Sequence, residues 1–403
     1  MMLTRSCISA QSSRGDILLF LLVQLVLVWK SEKNQGLSNP WTQYIKYLPR
    51  AVPLPTLWSD AERLLLNGTS LETAVQAKLL ALEREFDDLK EKSSALATWN
   101  EILWENGPVK LRDWVVLDAW YRSRCMELPR GGSSMVPCID MINHSRQWTA
   151  SYTQNPDDGS VDLCLSRDTD VAVGTEITIS YGNEKAPAEM LFSYGFVDPE
   201  GGPEMVVLPV EVPEDDPLAR AKAYIFAESP TIKIAQLESG DVRWECPFAH
   251  LLALNEEDGL GIHILQLTDG SRRMRLFWEA EDVTDSVKDL EAVTTSHAHH
   301  AVFRLRAVVL VQQQLETQAQ RISAPAGSDD LPNTHDPLAV RPTCREAASR
   351  LRVAEAKVLR SAIGCLELEK AHLLEDESVV AYLGPTEISQ NDLAPGSGST
   401  DFS

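Results

Sequence analysis

An almost unbroken apolar run, ILLFLLVQLVLVW at residues 17–29, limits how this chain can fold. Its side chains must leave water, either in a protein core or in a membrane. The run is shorter than the roughly 20 residues of a typical membrane span, and no small-residue cleavage site follows it. A buried core helix is therefore the preferred interpretation, and a membrane anchor or signal peptide is the alternative.

The charge of the chain restricts its partners. The 403 residues include 59 acidic and 37 basic ones, which gives a formal net charge of -22. Binding to nucleic acid through phosphates requires a basic surface, so we expect no direct nucleic-acid partner. An acidic protein attracts basic partners and is repelled by anionic membranes. Taken alone, the charge favours the simpler explanation that it keeps the protein in solution.

The seven cysteines are scattered, odd in number and never spaced as C-x-x-C. This pattern is typical neither of a disulfide scaffold nor of a zinc site, and it indicates a reducing intracellular compartment. The histidines of SHAHH, residues 296–300, fit a solvated helix start better than a metal site, because no other ligand motif is near. We expect no bound metal, and no basic run distinguishes nucleus from cytoplasm.

The chain reads as helical, then β-rich, then helical again. Apolar residues at helical spacing predict a long helix across residues 75–89, with Thr69 and Glu72 as its capping box. A second helix is predicted around residues 114–124. From about residue 135 we predict short strands, at residues 161–165 and 176–180.

Residues 155–159, NPDDG, are a strong turn signal within the β-rich part. Beyond residue 203 the chain reads as largely helical, with one long helix predicted over residues 345–374. The Gly/Ser/Pro-rich stretch from residue 393 onward predicts a disordered end.

Unusual polar residues cluster in the middle of the chain, in three motifs. These are PCIDMINHS at residues 137–145, EITISYG at residues 176–182 and AEMLFSYGF at residues 188–196. Each has an ordinary structural explanation by itself: a turn, a packed tyrosine at a strand end, and a glycine helix cap beside aromatic residues. The apolar start of the first motif predicts a core strand that leads into a tight bend.

Together, in this order and at these spacings, the three motifs resemble the SET domain of protein-lysine methyltransferases. The nearest branch contains the Rubisco large-subunit methyltransferase and its ribosomal-protein-modifying relatives, many of them fungal. The resemblance is strong for about residues 110–200 and fair for residues 16–110. It implies an α+β fold, in which a SET domain of short β-strands with a helical insertion precedes an all-α C-terminal substrate-binding domain.

The resemblance also implies a domain organisation. The SET domain is expected at residues 1–200, with the helical insertion at 50–125 and the SET core at 126–200. A helical substrate-binding domain is expected at residues 205–385, and a disordered tail at residues 386–403.

The implied cofactor is S-adenosylmethionine, and each matching residue receives an implied role. Tyr181 corresponds to the family tyrosine whose hydroxyl helps to align the methyl group. Tyr194, and with it Tyr152, would line the lysine channel, where aromatic faces stabilise a cationic amine. The cofactor site would consist of Arg124, Asp140, Asn143 and His144, the last acting largely through its backbone.

The family mechanism is in-line attack of a neutral lysine amine on a sulfonium methyl group. Lysine has an ordinary pKa of ~10.4, so it must lose a proton first. Desolvation in an aromatic channel beside the sulfonium charge lowers that pKa. The implied substrate is a basic protein, such as a ribosomal protein or a histone. One family branch modifies histidine, which leaves the acceptor open between lysine and histidine.

Two departures from the family pattern bear on activity. The family normally has a Gly-x-Gly stretch before the early helix, but here fifteen residues precede Asp16 and Gly15 is their sole glycine. We expect a truncated gene model, an alternative start or a degenerate paralogue. In addition, Pro187 stands where the family often has an asparagine, although proline suits the first turn of a helix. The alternative function is a non-catalytic SET-like module that binds a partner protein.

Overall fold

The computed structural model describes residues 12–32, 39–105, 109–166, 170–213, 216–237, 239–266, 270, 272–324 and 340–384. The chain divides into two compact units. The first comprises Met1–Val206, Ala235–Asp241 and Gln318–Leu359, and the second comprises Val207–Ile234, Val242–Thr317 and Arg360–Ser403. The tail predicted at residues 386–403 lies outside the described residues.

Helices and short strands alternate along the chain. The helices are α1 (Ser13–Glu32), α2 (Pro40–Tyr47), α3 (Asp60–Arg63), α4 (Leu71–Ser94), α5 (Ala97–Asn100), α6 (Leu111–Arg124), α7 (Pro187–Tyr194), α8 (Ala219–Phe226), α9 (Pro247–Ala253), α10 (Leu290–Val293), α11 (His300–Ser323), α12 (Pro342–Leu374) and α13 (Glu377–Leu383). The strands are β1 (Met126–Leu128), β2 (Gly132–Ser134), β3 (Ala150–Gln154), β4 (Val161–Leu165), β5 (Met205–Pro209), β6 (Thr231–Gln236), β7 (Val242–Glu245), β8 (Leu260–Gln266), β9 (Arg272–Trp278) and β10 (Glu281–Asp282).

The apolar run forms the first segment of the core of the first unit, as predicted. Leu18, Leu22 and Val28 of α1 have at most 1% of their surface exposed. They pack in one cluster with α4 and α6, which supply Leu82 and Trp114 among others. None of the described helices combines the length and apolar character that a bilayer crossing requires. The preferred interpretation of the run as a buried core helix is confirmed.

The two helices predicted from periodicity also form, as α4 and α6. The predicted capping box does not. Helix α4 begins one residue later than expected, with Ser70 at its N-cap position, and the carboxylate of Glu72 accepts a hydrogen bond from Gly68 N at 2.7 Å. The Thr69 hydroxyl bonds back to Leu66 O at 2.6 Å. Both side chains therefore bond to backbone groups of the 3₁₀ turn at Leu64–Leu66 and of the short segment between it and the helix.

The strands form four small sheets: β1–β2, β3–β4, β5–β6–β7 and β10–β9–β8. The prediction of a strand at Val161–Leu165 is confirmed, since it pairs antiparallel with β3. The turn signal at residues 155–159 closes this hairpin, with Asn155 N donating to Ser160 O at 2.8 Å. The prediction of a strand at residues 176–180 is wrong. Only Ile179 of that segment makes an isolated parallel bridge, to His144.

The α+β class is confirmed, but the part of the chain after residue 205 is not all-α. Six of the strands, β5 to β10, lie there. Period-two burial explains them: Val206 and Leu208 of β5, and Ile232 and Ile234 of β6, are buried while the residues between them are not. These alternating runs are too short to stand out in the sequence beside the long helices. The helix predicted over residues 345–374 is confirmed as α12.

A buried carboxylate joins α12 to the start of α4 within the first unit. Glu355 is 2% exposed and accepts hydrogen bonds from both Ser70 N, at 3.0 Å, and the Ser70 hydroxyl. Burial outweighs these bonds and the nearby Arg352, and raises the pKa of Glu355 to about 7. At a given pH, the folded protein therefore holds Glu355 protonated more often than the unfolded chain does.

Two leucines of α4 provide a matched test of the core. We expect Leu82→Ala, at a side chain with no exposed surface, to lower the free energy of unfolding by about 2–5 kcal/mol. Leu80→Ala, at a side chain that is 54% exposed, should change it by less than about 0.5 kcal/mol. Urea denaturation of both variants checks this. Equal losses would contradict the orientation of α4.

Glu355 makes stability depend on pH. Its folded-state pKa, about 7, lies above its ordinary value of 4.5, so its contribution is fully present below pH 4.5 and is lost as the pH rises through 7. The loss amounts to about 3 kcal/mol. We expect Glu355→Gln to remove this decline in denaturation experiments between pH 4.5 and 8. Glu346→Gln, at an exposed position of α12, should keep it.

Candidate active site

The first motif bends, as predicted, but its apolar start does not form a core strand. Residues Ile139–Met141 form a 3₁₀ turn, and Cys138 before it has a φ of 76°, which is uncommon for a residue other than glycine. Asp140 is 7% exposed, whereas Met141 is 42% exposed. The strand prediction is wrong because the chain turns back at this point to bury a carboxylate rather than its apolar neighbours.

Two side chains meet at the buried carboxylate of Asp140. Tyr44 of α2 donates its hydroxyl proton to Asp140 Oδ2 at 2.5 Å. Arg124, the last residue of α6, donates from Nη1 to Asp140 O at 3.0 Å and lies 3.5 Å from Oδ2. Burial still raises the pKa of Asp140, although the Tyr44 hydrogen bond and the Arg124 charge both lower it.

The same cluster retains unused hydrogen-bonding capacity. Within the described part of the chain, Asp140 Oδ1 and Arg124 Nε are buried and have no hydrogen-bond partner. A buried polar atom without a partner costs about 1–3 kcal/mol, and it is commonly satisfied by a ligand or water. A buried guanidinium N–H is a donor suited to a carboxylate.

His144 connects the first and second motifs. Its Nδ1 lies 3.1 Å from the backbone N of Tyr181, which donates to it, and 3.3 Å from the backbone carbonyl oxygen of Ile179. Nε2 lies 3.6 Å from the carboxylate of Asp198. The ring also stacks on Tyr181, with centroids 5.2 Å apart. The imidazole is thereby fixed in orientation.

Two tyrosines from the second and third motifs face each other. The ring centroids of Tyr181 and Tyr194 are 4.5 Å apart, and the Tyr181 hydroxyl donates to Ile142 O at 2.7 Å. Burial raises the pKa of each tyrosine to about 12, so both are neutral phenols at physiological pH. Tyr152 of β3 lies close enough for its charge, when ionised, to raise the pKa of Tyr194 as well.

The backbone of the third motif ends as its sequence predicts. Pro187 occupies the first turn of α7, and Gly195 caps the helix with a φ of 87°. Phe196 follows, with its ring 6.0 Å from that of His144 and 6.5 Å from that of Tyr194. Phe196 therefore lies against both His144 and the tyrosine pair.

Asn143 is placed differently from its neighbours. Its side chain is exposed and its amide donates to Glu176 Oε1 at 2.6 Å. Its backbone carbonyl accepts from Ile179 N at 3.0 Å, next to the bridge of His144. The contacts of Asn143 thus join the first motif to the second, away from the Asp140 cluster.

A cavity of about 440 Å³ opens beside His144 in the first unit. Its volume lies within the roughly 300–1,000 Å³ of small-molecule sites. Met190 of α7 and Val353 of α12 give it apolar walls, and Asp198 contributes a carboxylate. The cavity could accommodate a ligand that touches the imidazole.

The structure brings together most of the residues predicted for the site. Arg124, Asp140, His144, Tyr181 and Tyr194 lie in one region, since the charges of Arg124 and Asp140 both affect the pKa of Tyr181.

Sequence reasoning missed Tyr44 and Asp198. Tyr44 is 96 residues before its partner Asp140, and no local pattern could connect the two. Asp198 follows the third motif by two residues, so an acidic residue directly after an aromatic cluster was a usable signal.

Known proteins share this arrangement of motifs. No protein-family model matches the chain. SET domain-containing protein 8 of Schizosaccharomyces pombe is 30% identical over 352 residues, which are 87% of this chain and 76% of that protein. The chain belongs to the SET domain family. Its relatives place it in the branch of the Rubisco large-subunit methyltransferase.

Two other relatives in the SET domain family carry named activities. The chloroplastic fructose-bisphosphate aldolase-lysine N-methyltransferase of Arabidopsis thaliana is 28% identical over 209 residues, 48% of this chain and 41% of that protein. Ribosomal lysine N-methyltransferase set10 of Schizosaccharomyces pombe is 25% identical over 219 residues, 51% of this chain and 37% of that protein. The chain therefore matches well under half the length of these two relatives.

Solved structures show the same SET fold. The SET domain of LSMT bound to MeLysine and AdoHcy matches with a TM-score of 0.61 and 19% identity, over 90% of this chain and 79% of that one. Rubisco LSMT bound to AdoMet matches with a TM-score of 0.61 and 19% identity, over 91% of this chain and 77% of that one. At this identity the likeness establishes the fold.

The Asp140 cluster predicts a stability difference between two tyrosines of α2. We expect Tyr44→Phe to lower the free energy of unfolding by about 1–3 kcal/mol, because it leaves a second oxygen of a buried carboxylate without its donor. Tyr47→Phe, at a side chain that is 77% exposed, should have an effect below about 0.5 kcal/mol. Chemical denaturation compares the two. An unchanged Tyr44→Phe protein would rule out a stabilising bond to Asp140.

Proposed function

We propose that this chain is an S-adenosylmethionine-dependent protein-lysine N-methyltransferase acting on a basic protein such as a ribosomal protein. The observation that carries the proposal is the close, tilted pair of Tyr181 and Tyr194, both neutral phenols, beside the arginine and the imidazole of one SET domain. Membership of the family and the named activities of two relatives support the same chemistry.

The residues present fit the proposed cofactor. When bound, S-adenosylmethionine supplies an electrophilic methyl group on a sulfonium centre. Arg124 offers a buried, unused N–H donor for a carboxylate, and the cavity beside His144 offers apolar walls for a flat ring. We propose Arg124, Asp140, Asn143 and His144 as the cofactor-binding residues. Asp140 would act by orienting Arg124, and Asn143 by holding the bend of the first motif through Ile179 and Glu176.

The tyrosine pair would handle the lysine. The Tyr181 hydroxyl donates its hydrogen bond to Ile142 O, so the lone pairs of its oxygen remain available to accept a hydrogen bond. Neutral aromatic faces at Tyr194 and Tyr152 stabilise an amine that carries or develops positive charge, without fixing it as an ammonium ion in an ion pair. Water exclusion by these rings lowers the pKa of the incoming amine. Alignment of the reacting atoms then provides most of the acceleration.

Substrate choice follows from charge and from the rest of the chain. The net charge of -22 favours basic proteins, so ribosomal proteins and histones are the proposed classes, and nucleic acid is not. We propose that residues 1–200 form the catalytic domain and residues 205–385 a substrate-binding domain, of which Gln318–Leu359 belongs to the same compact unit as Met1–Val206. The cytoplasm and the nucleus are the proposed locations, because both contain such substrates. Histidine is the alternative acceptor.

Cofactor binding can be separated from catalysis with two arginines of α6. We expect Arg124→Met to weaken S-adenosylmethionine binding about 10- to 100-fold, which corresponds to loss of one charged hydrogen bond. Arg112→Met, at an exposed position of the same helix, should bind like the parent chain. Isothermal titration calorimetry measures both. Binding unaffected by Arg124→Met would remove that residue from the cofactor site.

Methyl transfer is tested with labelled S-adenosylmethionine and mixtures of ribosomal proteins or core histones. We expect Tyr181→Phe to lower kcat roughly 100-fold through loss of alignment while cofactor binding is retained. Tyr224→Phe, at a 72% exposed tyrosine, is the control. A parent chain that binds the cofactor but labels no basic protein would support the non-catalytic, partner-binding alternative.

A further inference from the structure

A buried ionic cluster lies behind the tyrosine pair. The carboxylate of Asp118, in the middle of α6, has no exposed surface and is contacted by three cations. Arg14 Nη2 lies 2.7 Å away, Lys78 Nζ 2.9 Å away and Arg122 Nε 2.8 Å away. Burial would raise the pKa of Asp118, but these charges together hold it below its usual value. The cluster therefore fixes the guanidinium of Arg122 from one side.

Of the two remaining donor nitrogens of Arg122, one is directed at the helix that carries Tyr194 and the other at Thr56. Nη1 donates to the backbone carbonyl of Phe192, and Nη2 donates to the hydroxyl of buried Thr56 at 2.7 Å. The guanidinium also lies over the Phe192 ring, 4.5 Å from its centroid. Arg122 thus contacts both the backbone and the side chain of a residue two positions before Tyr194.

The Phe192 carbonyl needs a donor from outside its helix. It belongs to the last turn of α7, where carbonyls lack intrahelical partners. The capping N–H of Gly195 bonds instead to Met190 O and Leu191 O. A cation at this end is also favoured by the helix dipole. Arg122 supplies both the missing donor and the charge.

A close backbone contact leaves α7 little freedom at the same end. Gly195 has a φ of 87°, and a Cβ added there would lie 2.7 Å from Pro53 Cγ. Thr56, three residues further on, is the hydroxyl that Arg122 holds. The end of α7 is therefore pressed against residues 53–56, and Arg122 joins the two.

The final turn of α6 reaches both halves of the site. Arg124, two residues after Arg122, donates to the backbone carbonyl of Asp140 at 3.0 Å. Ile142, two residues beyond Asp140, accepts the Tyr181 hydroxyl. One helix end thus contacts the backbone two residues before Tyr194 and the backbone two residues before Ile142, the hydrogen-bond acceptor of Tyr181.

We propose that Arg122 is a positioning residue that holds Tyr194 against Tyr181 through the end of α7. Its consequence for catalysis rests on the proposed function, whereas the placement itself does not. Only the planar fork of arginine can serve Asp118, Thr56 and the Phe192 carbonyl at once. Lysine at this position keeps the charge beside Asp118 but cannot make the same set of directed contacts.

The placement is tested first, without any activity. 3-Fluorotyrosine is introduced at position 194, where its ¹⁹F resonance senses the ring of Tyr181 at 4.5 Å. A Tyr181→Leu variant gives the resonance in the absence of that ring. We expect Arg122→Lys to move the resonance more than halfway toward this reference. Lys78→Met, which removes another cation from Asp118 without touching α7, should leave it in place.

The catalytic consequence is measured on the same variants. We expect Arg122→Lys to lower kcat about tenfold with little change in cofactor affinity, because the channel and not the cofactor site is displaced. Lys78→Met should keep its kcat even where it lowers stability, which distinguishes positioning from general destabilisation. Thr56→Val, which removes one acceptor of Arg122, should give a smaller loss in the same direction.

Two results would overturn the proposal. One is a ¹⁹F resonance that stays at the parent position in Arg122→Lys; the other is an equal fall of kcat in Lys78→Met. A parent chain without methyl transfer would count against the proposed function alone, and the ¹⁹F result would still decide whether Arg122 positions Tyr194.

Discussion

The buried carboxylate of Asp118 is the constraint on which the first unit depends. A charge without exposed surface costs several kcal/mol in desolvation unless it is paired. Here the partners come from three helices, Arg14 of α1, Lys78 of α4 and Arg122 of α6 itself. The same helices share one apolar cluster. The ion cluster therefore sets the mutual orientation of helices that apolar packing alone leaves less specific.

Two buried carboxylates of the first unit have opposite pKa shifts because their partners differ. Asp118 has three cations and a lowered pKa, whereas Asp140 has one arginine, one tyrosine and a raised pKa. The second arrangement leaves polar atoms unused on both Asp140 and Arg124. Arg14 Nε of the Asp118 cluster also lacks a partner, so the difference lies in the carboxylates. Asp118 is paired through both oxygens and is suited to holding helices, whereas Asp140 has one unused oxygen and is suited to receiving a ligand.

The site is assembled from short segments that contain little regular secondary structure. The bend of the first motif, the bridge at Ile179 and the end of α7 are each held by backbone hydrogen bonds rather than by a continuous sheet. Such segments place side chains well only where rigid elements support them. Helix α6 gives that support, since Arg122 and Arg124 at its end bond to the backbone of both neighbouring segments.

The sequence by itself determined several of the long helices and most of the candidate site residues. Apolar spacing predicted α4, α6 and α12, because local periodicity is contained in neighbouring positions. The family resemblance carried by the three motifs selected Tyr181, Tyr194 and His144, and it selected Arg124 in the segment before them. Tertiary structure alone decided what depends on distant partners. The strands after residue 205, the burial of Asp140 beneath Tyr44 and the pairing of Arg122 with Phe192 all join residues with no shared local pattern. Their physical reason is burial: a polar group removed from water must find its partner wherever the fold provides one.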